Sequence, residues 1–356
     1  MIDCSLTRRL NTLARMAFQA GLWLLLLQVS CCSPVAAQEL PADLVEDGQL
    51  INLQQEKYQQ LFAELSQKYQ FNNLELQEIF KGQAINRQVL VLMDKQWEAK
   101  PYYQYAPRFV TPENIREGKA KLAQHKQLLD RIEATFGVNR EVVVAIWGVE
   151  TRYGASQGKF DVLQTLNTLF DAYPRRSEFY RKELIAYLLL CRENGVDPHG
   201  IRGSYGAAFG QTQFIPSSFR EYSVSFDGDD KRDVWHSVPD ILASIANYLK
   251  RSKWTLNAPV YGELGHVLKD PLLVAAELKG RKELVPFEVV RKMQNPDLPL
   301  SPQNRSLTII GLELPPGGEF PKRYVAGYPN FQAITEWNHS NRYAMAVTEL
   351  AEAFVR

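Results

Sequence analysis

The 356-residue chain is 45% hydrophobic and 23% charged, with 41 Lys and Arg against 40 Asp and Glu. That balance excludes a disordered tail, a collagen-like fibre and a polytopic membrane protein. A net charge of +1 also lacks the basic excess that phosphate-backbone binding requires, so nucleic acid is not an expected partner.

The first residues read differently from the rest. Arg8, Arg9 and Arg15 precede an apolar run from Met16 to Leu27, and small polar residues follow up to Ala37. These are the three regions of a secretory signal peptide. The run is shorter than the roughly 20 residues of a membrane span, so export is expected rather than a permanent anchor helix. Two processing outcomes are open: cleavage after Ala37, or lipidation at Cys31, which follows Ser30 as in a bacterial lipoprotein site. Cys4, Cys31 and Cys32 lie in this segment, so Cys191 is alone in the body and no internal disulfide framework is expected. Its neighbours Leu188, Leu189 and Leu190 mark it as a buried structural thiol.

Along the body, Leu50, Leu53, Leu61, Phe62, Leu65 and Tyr69 fall largely at helical spacing, and Leu74 to Phe80 continue it after Asn72 and Asn73. Lys100 to Thr111, with Pro101 and Pro107, reads as an extended linker. Thr111-Pro112-Glu113 opens a helix that carries Ile115, Leu122, Leu128, Leu129 and Ile132 inward and ends near Gly137. The segment from Glu141 to Lys250 reads mainly helical, broken by a Gly-, Ser- and Gln-rich loop from Gly200 to Ser218. From Asn257 to Ala326, prolines and glycines punctuate short apolar runs, which predicts loops with some strand. Tyr343, Val347, Leu350, Phe354 and Val355 predict a terminal helix.

The stretch from Asn139 to Gly154 carries the chemistry. Asn139 is a plausible N-cap, Val142 to Val149 are apolar nearly all round, and Gly154 suits the position after the helix end. A helix apolar on every side is buried in its domain. Glu150 is its one acid after the first turn. Desolvation and the negative helix end both disfavour its ionisation, so a raised pKa is expected, as a general acid requires. The bland alternative, a Glu paired with Arg152 on a half-exposed helix end, stands equal on spacing alone.

The run Trp147-Gly-Val-Glu-Thr-Arg-Tyr-Gly154 resembles the catalytic motif of the lytic murein transglycosylase B family, whose core is goose-type lysozyme-like. Further matches keep their order: Tyr173 to Tyr180, Gly203 to Ser218, Ser244 to Leu249, and Asn338 to Val347. Ordered, separated motifs are far more specific than any single one. The resemblance implies a mainly α fold: a lysozyme-like helical core, a helical N-terminal region, and a smaller loop-rich region with some β-strand inserted before the C-terminal helices. The expected division is 1–37 signal peptide, 38–110 helical region and linker, 111–256 catalytic core, 257–326 insertion and 327–356 C-terminal helices.

By that resemblance Glu150 is the sole acid/base in cleaving the β-1,4 bond between N-acetylmuramic acid and N-acetylglucosamine, with 1,6-anhydromuramoyl ends as product. A hydrolytic muramidase and a non-catalytic peptidoglycan-binding scaffold are the competing readings. Peptidoglycan glycan strands are the implied partner and the periplasm the implied compartment, with membrane attachment if Cys31 is lipidated. Tyr105, Ser204, Gln213, Phe214, Tyr248, Asn338 and Tyr343 carry over as groove residues that meet substrate. Trp337 stands where the family more often has Tyr, which removes a hydroxyl at that point. Ser225, Asp227, Asp229 and Asp233 resemble a calcium loop. Its first position is Ser, its twelfth is His236, and Lys231 and Arg232 add positive charge, so a solvated acidic turn is expected. No cofactor is required, and the five histidines show no zinc-ligand spacing.

Overall fold

A computed structural model describes residues 40–95 and 100–356. The leader and Cys31 lie outside the described residues. Among those described, no helix is long and apolar enough to cross a membrane.

Helices α1 (Glu56–Tyr69), α2 (Asn73–Phe80) and α3 (Arg87–Asp94) form the N-terminal region. Tyr58, Leu61 and Leu65 make the buried stripe of α1. The start of α2 is fixed by a capping box, in which Asn72 accepts from the Glu75 amide and Glu75 accepts from that of Asn72. Leu50 and Leu53 precede α1, and Leu50 instead forms a β-bridge with Ala84.

The expected extended linker is a correction. It holds a helical turn, α4 (Tyr102–Tyr105), followed by a 3-10 turn at Ala106–Arg108. Both prolines are compatible with this, because Pro101 is the N-cap of α4 and Pro107 lies in the first turn of the next segment, where a missing N–H is not needed. The helix opened at Thr111 is also two helices, α5 (Pro112–Gln124) and α6 (Lys126–Phe136). Thr111 caps the first by accepting from the Asn114 amide at 3.1 Å. His125 leaves helical geometry between them, and Gly137 ends α6 at φ 67°.

At the centre lies α7 (Arg140–Thr151), in which every residue from Val142 to Val149 is buried. It is surrounded by α5, α6, α11 (Val238–Arg251) and α15 (Asn341–Val355). Asn139 takes the N-cap position without capping. Its amide oxygen accepts from the Trp254 indole and the Asn257 N–H, both at 3.1 Å, tying α7 to the start of the 257–326 stretch. The helix ends in three consecutive left-handed residues, Arg152, Tyr153 and Gly154. Tyr153 folds back so that its hydroxyl donates to the Asn114 carbonyl at 2.7 Å.

Helices α8 (Val162–Ala172), α9 (Ser177–Asn194) and α10 (Pro216–Tyr222) pack in sequence on this core. Strands β1 (Phe160–Asp161) and β2 (Arg202–Gly203) pair antiparallel beside them. Cys191 is buried within α9, and burial pushes its thiol up to about 12, so it is inert, as expected. Glu183 of α9 reaches across to accept the Ser217 N–H at 2.9 Å and its hydroxyl at 2.7 Å, holding the first turn of α10.

The 257–326 stretch is more ordered than its punctuation predicts. Strands β3 (Tyr261–Gly265), β4 (Leu284–Val285), β5 (Leu307–Glu313) and β6 (Lys322–Gly327) form an antiparallel sheet in the order β3-β6-β5-β4. Side chains alternate across it: Ile310 and Leu312 join the main core, whereas Leu307 and Ile309 join a second cluster with Leu273 and Phe287. That cluster is closed by α12 (Pro271–Lys279) and α13 (Phe287–Met293), neither foreseen, because the prolines that start them read as breakers. Helix α14 (Pro329–Trp337) and α15 complete the chain.

Two stability predictions follow from this packing. A Cβ at Gly148 would lie 2.7 Å from the Tyr153 ring, so Gly148→Ala is expected to cost about 1–3 kcal/mol by overpacking, read from denaturant midpoints. Burial raises the Glu183 pKa against the pull of its Ser217 hydrogen bonds. The folded state therefore holds this proton more tightly than the unfolded chain, and its contribution falls as pH rises through the raised pKa. Relative to wild type, Glu183→Gln should accordingly gain stability as pH rises above about 4, and a melting difference that does not move in that direction would refute the assignment.

Candidate active site

The buried run of α7 delivers Glu150, half-exposed, to the floor of a cleft of about 800 Å³. Two donors from the C-terminal helices converge on its Oε1. The Tyr343 hydroxyl, from the first turn of α15, donates at 2.6 Å, and the Trp337 indole, from the last residue of α14, donates at 2.8 Å. Ser340 caps α15 by accepting the Tyr343 N–H at 3.2 Å, so the turn between the helices fixes both donors. Among the described residues, Glu150 is the only carboxylate lining this cleft; Tyr105, Arg108, Tyr205, Asn338 and Tyr343 share its walls.

A second hollow of about 750 Å³ adjoins it, and Met93, Asn338 and His339 line both. Gln213, Phe214, Tyr248 and Trp337 form its wall. The Phe214 ring lies 5.0 Å from Trp337, and Tyr248 lies 4.8 Å from Trp337 and 4.3 Å from Tyr222. Burial pushes the Tyr248 phenol well above its ordinary pKa, and its hydroxyl is already donated to the Glu336 carbonyl at 2.6 Å. What Tyr248 offers the groove is therefore its ring.

The Gly-rich loop is held against α7 by Gln211. Its side chain accepts from the Trp147 indole at 2.8 Å and donates to the Trp235 carbonyl at 2.8 Å. A Cβ at Gly154 would lie 2.3 Å from the Gln211 Oε1, which, with φ 92°, explains the glycine there. Gln213, itself at φ 49°, donates to the carbonyls of Gln157 and Gly210. Ser204 turns inward: its hydroxyl accepts from the amides of Gly206 and Ala208 and organises the loop, while the neighbouring Tyr205 and Gly206 line the groove.

Glu150, Tyr105, Asn338 and Tyr343 thus meet in one cleft, and Gln213, Phe214 and Tyr248 in the adjoining one, although they come from six separate elements and loops. Trp337, expected only to remove a hydroxyl, keeps a donor at that point. Its indole N–H supplies the donor that a hydroxyl would give, and the signal available was its place beside Asn338. Sequence reasoning passed over Gln211, in the same motif as Gln213.

The 225–236 loop is an acidic turn closed on itself. Asp227 accepts from the Asp229 amide and the Ser237 hydroxyl, Asp229 from the Lys231 amide, and Asp233 from the amides of Trp235 and His236. The Ser225 hydroxyl donates to the Asp229 carbonyl. Asp240, fully buried, accepts the Phe226 and Asp233 amides at 2.7 and 2.8 Å. No group of three or more acids, histidines or cysteines converges among the described residues, so this donor set does not fit a cation cage.

Residues 54–352 match the Transglycosylase SLT domain family. The chain belongs to that family. It is 33% identical over 305 residues to membrane-bound lytic murein transglycosylase B of Escherichia coli K12, covering 83% of this chain and 81% of that one. The E. coli lytic transglycosylase Slt35 in complex with calcium superposes with a TM-score of 0.74 at 31% identity, over 88% of this chain and 97% of that one. SltB3 of Pseudomonas aeruginosa, in complex with NAG-anhNAM-pentapeptide, superposes at 0.69 and 33% identity, over 84% and 79%. The mainly helical architecture is the lysozyme-like fold of these transglycosylases.

Tyr343→Phe deletes one donor and leaves the buried ring in place. A hydrogen bond to a charged group is worth about 1.5–3 kcal/mol, so the rate of murein cleavage should fall by roughly ten-fold to a hundred-fold, with little change in melting temperature. Trp337→Phe should act in the same direction, both read from muropeptide release.

Proposed function

We propose that this lytic murein transglycosylase cleaves the β-1,4 bond between N-acetylmuramic acid and N-acetylglucosamine in the groove described above, with Glu150 as its sole acid/base. The observation that carries the reading is one carboxylate, oriented by two neutral donors, in a cleft that no second carboxylate lines among the described residues. A glycosidase that activates water or forms a glycosyl-enzyme needs two carboxyl groups about 5 to 9.5 Å apart.

Oε1 accepts from Trp337 and Tyr343, which orients the acid form and its proton within the cleft. Glu150 gives that proton to the glycosidic oxygen as the C1–O bond breaks, and the muramoyl N-acetyl group assists at C1. The carboxylate then takes the proton from the 6-hydroxyl as O6 bonds to C1. This forms the 1,6-anhydro ring, restores the acid and consumes no water. Asn338 supplies an amide, and Gln213 its amide oxygen, for hydroxyl and N-acetyl groups. The rings of Tyr248, Trp337 and Phe214 form an apolar wall for sugar faces, Tyr105 closes the cleft beside Glu150, and Ser204 shapes the loop under it.

No calcium step enters this scheme; the Slt35 relative was solved in complex with calcium. The leader supports export to the periplasm, where the substrate lies, by cleavage after Ala37 or lipidation at Cys31. Mass spectrometry of the mature N-terminus distinguishes the two.

Digestion of murein sacculi should release muropeptides with anhydro ends. Reducing ends would instead make the protein a hydrolytic muramidase, and binding without release would make it a scaffold. Glu150→Gln should lower the rate by about 10²–10⁴-fold while retaining binding to sacculi; unchanged lysis would remove Glu150 from the mechanism.

A further inference from the structure

Away from the groove, the loop at 194–202 and the turn at 231–236 enclose a cleft of about 560 Å³. Its charge is one-sided. Lys231, Arg232 and His236 come from the turn and Arg202 faces them, against one acid, Asp233. That acid is spent locally, since it accepts the amides of Trp235 and His236 and lies 3.4 Å from the His236 ring. Arg232 is partly committed to Glu193 at 3.4 Å. Lys231 has no ion-pair partner among the described residues, and Arg202 has only Asp161 at 3.9 Å.

The wall below these cations is apolar and rigid. The Trp235 ring stacks on Phe209 at 5.6 Å and 12°, and its indole N–H has no hydrogen-bond partner among the described residues. Ile201 and Val196 extend this surface. Cations and one N–H donor above an apolar floor match a carboxylate carried next to a small apolar side chain. A neutral sugar would leave Lys231 and Arg202 without a counter-charge.

We propose that this cleft binds the carboxylate end of a murein stem peptide. The inference rests on the reading of murein as substrate, whose peptides carry such carboxylates. His236, which stands where a calcium loop closes with a bidentate Glu, faces this cleft together with Lys231. The two sites are back to back. Gln157 lines the cleft, and its carbonyl accepts from Gln213, which lines the groove. A peptide held here would come from a strand beside the one being cut.

The test is calorimetric titration of the full chain with a sugar-free stem tetrapeptide ending in D-alanine. Saturable one-to-one binding is expected, weakening with salt and at least about ten-fold weaker in the Arg202→Glu, Lys231→Glu double variant. Trp235→Phe, which removes the indole N–H and narrows the ring while keeping an aromatic side chain against Phe209, should weaken it too and serves if the double variant does not fold. Trp337→Ala, in the groove, should leave it unchanged. No binding by wild type, undiminished binding by the charge-reversed variant, loss of binding in Trp337→Ala, or an equal response to acetate alone would each overturn the proposal. The measurement needs no turnover, so a protein that binds the peptide yet releases nothing from sacculi would sink the proposed reaction and leave this site standing.

Discussion

Everything at the site depends on the burial of α7. A helix apolar on all sides has no stable place at a surface, so four helices close around it, and each large apolar side chain removed from water contributes about 1.5–3 kcal/mol. Its axis is thereby fixed, and the one acid near its end is carried to the point where the surrounding helices part. Gly148 lets Tyr153 pack back on the helix, and the left-handed turn at Arg152, Tyr153 and Gly154 sends the chain off beneath Gln211.

The rest of the molecule serves to aim groups at that acid. The C-terminal α15 is anchored to the linker and sheet by a polar network. Glu313 at the end of β5 accepts the Tyr102 amide at 3.0 Å and pairs with Arg342, while Glu349 of α15 accepts the Tyr102 hydroxyl at 2.7 Å and pairs with Arg323 at 3.0 Å. The sheet thus reaches the site indirectly, by holding the helix that carries Tyr343 and the turn that carries Tyr105. Glu183 does the same for α10, which follows Gln213 and Phe214.

The groove near Glu150 combines neutral donors and rings with three cations, Lys95, Arg108 and Arg342, along the cleft wall. A glycan backbone is recognised by hydrogen bonding and stacking. At the small cleft of Arg202 and Lys231, the peptide of the polymer, rather than its sugar, is the chemically matched ligand.

The sequence alone determined the helical class, the buried nature of α7 and the inert Cys191, because each rests on local pattern: periodicity, caps and composition. The family resemblance also singled out Tyr105, Glu150, Gln213, Phe214, Tyr248, Asn338 and Tyr343, which the fold gathers into two joined hollows. Sequence missed the helical turn at Tyr102, the break at His125 and the helices after Pro271 and Pro286, where proline reads as a breaker unless its position in the first turn is known. Only tertiary structure decided that the Trp337 indole meets Glu150, that Ser204 turns into its own loop, that Tyr248 spends its hydroxyl on a carbonyl, and that the acidic turn closes on its own amides. Those outcomes depend on which donor is aimed at which acceptor across long sequence separations, and that direction is set by packing, which no local pattern encodes.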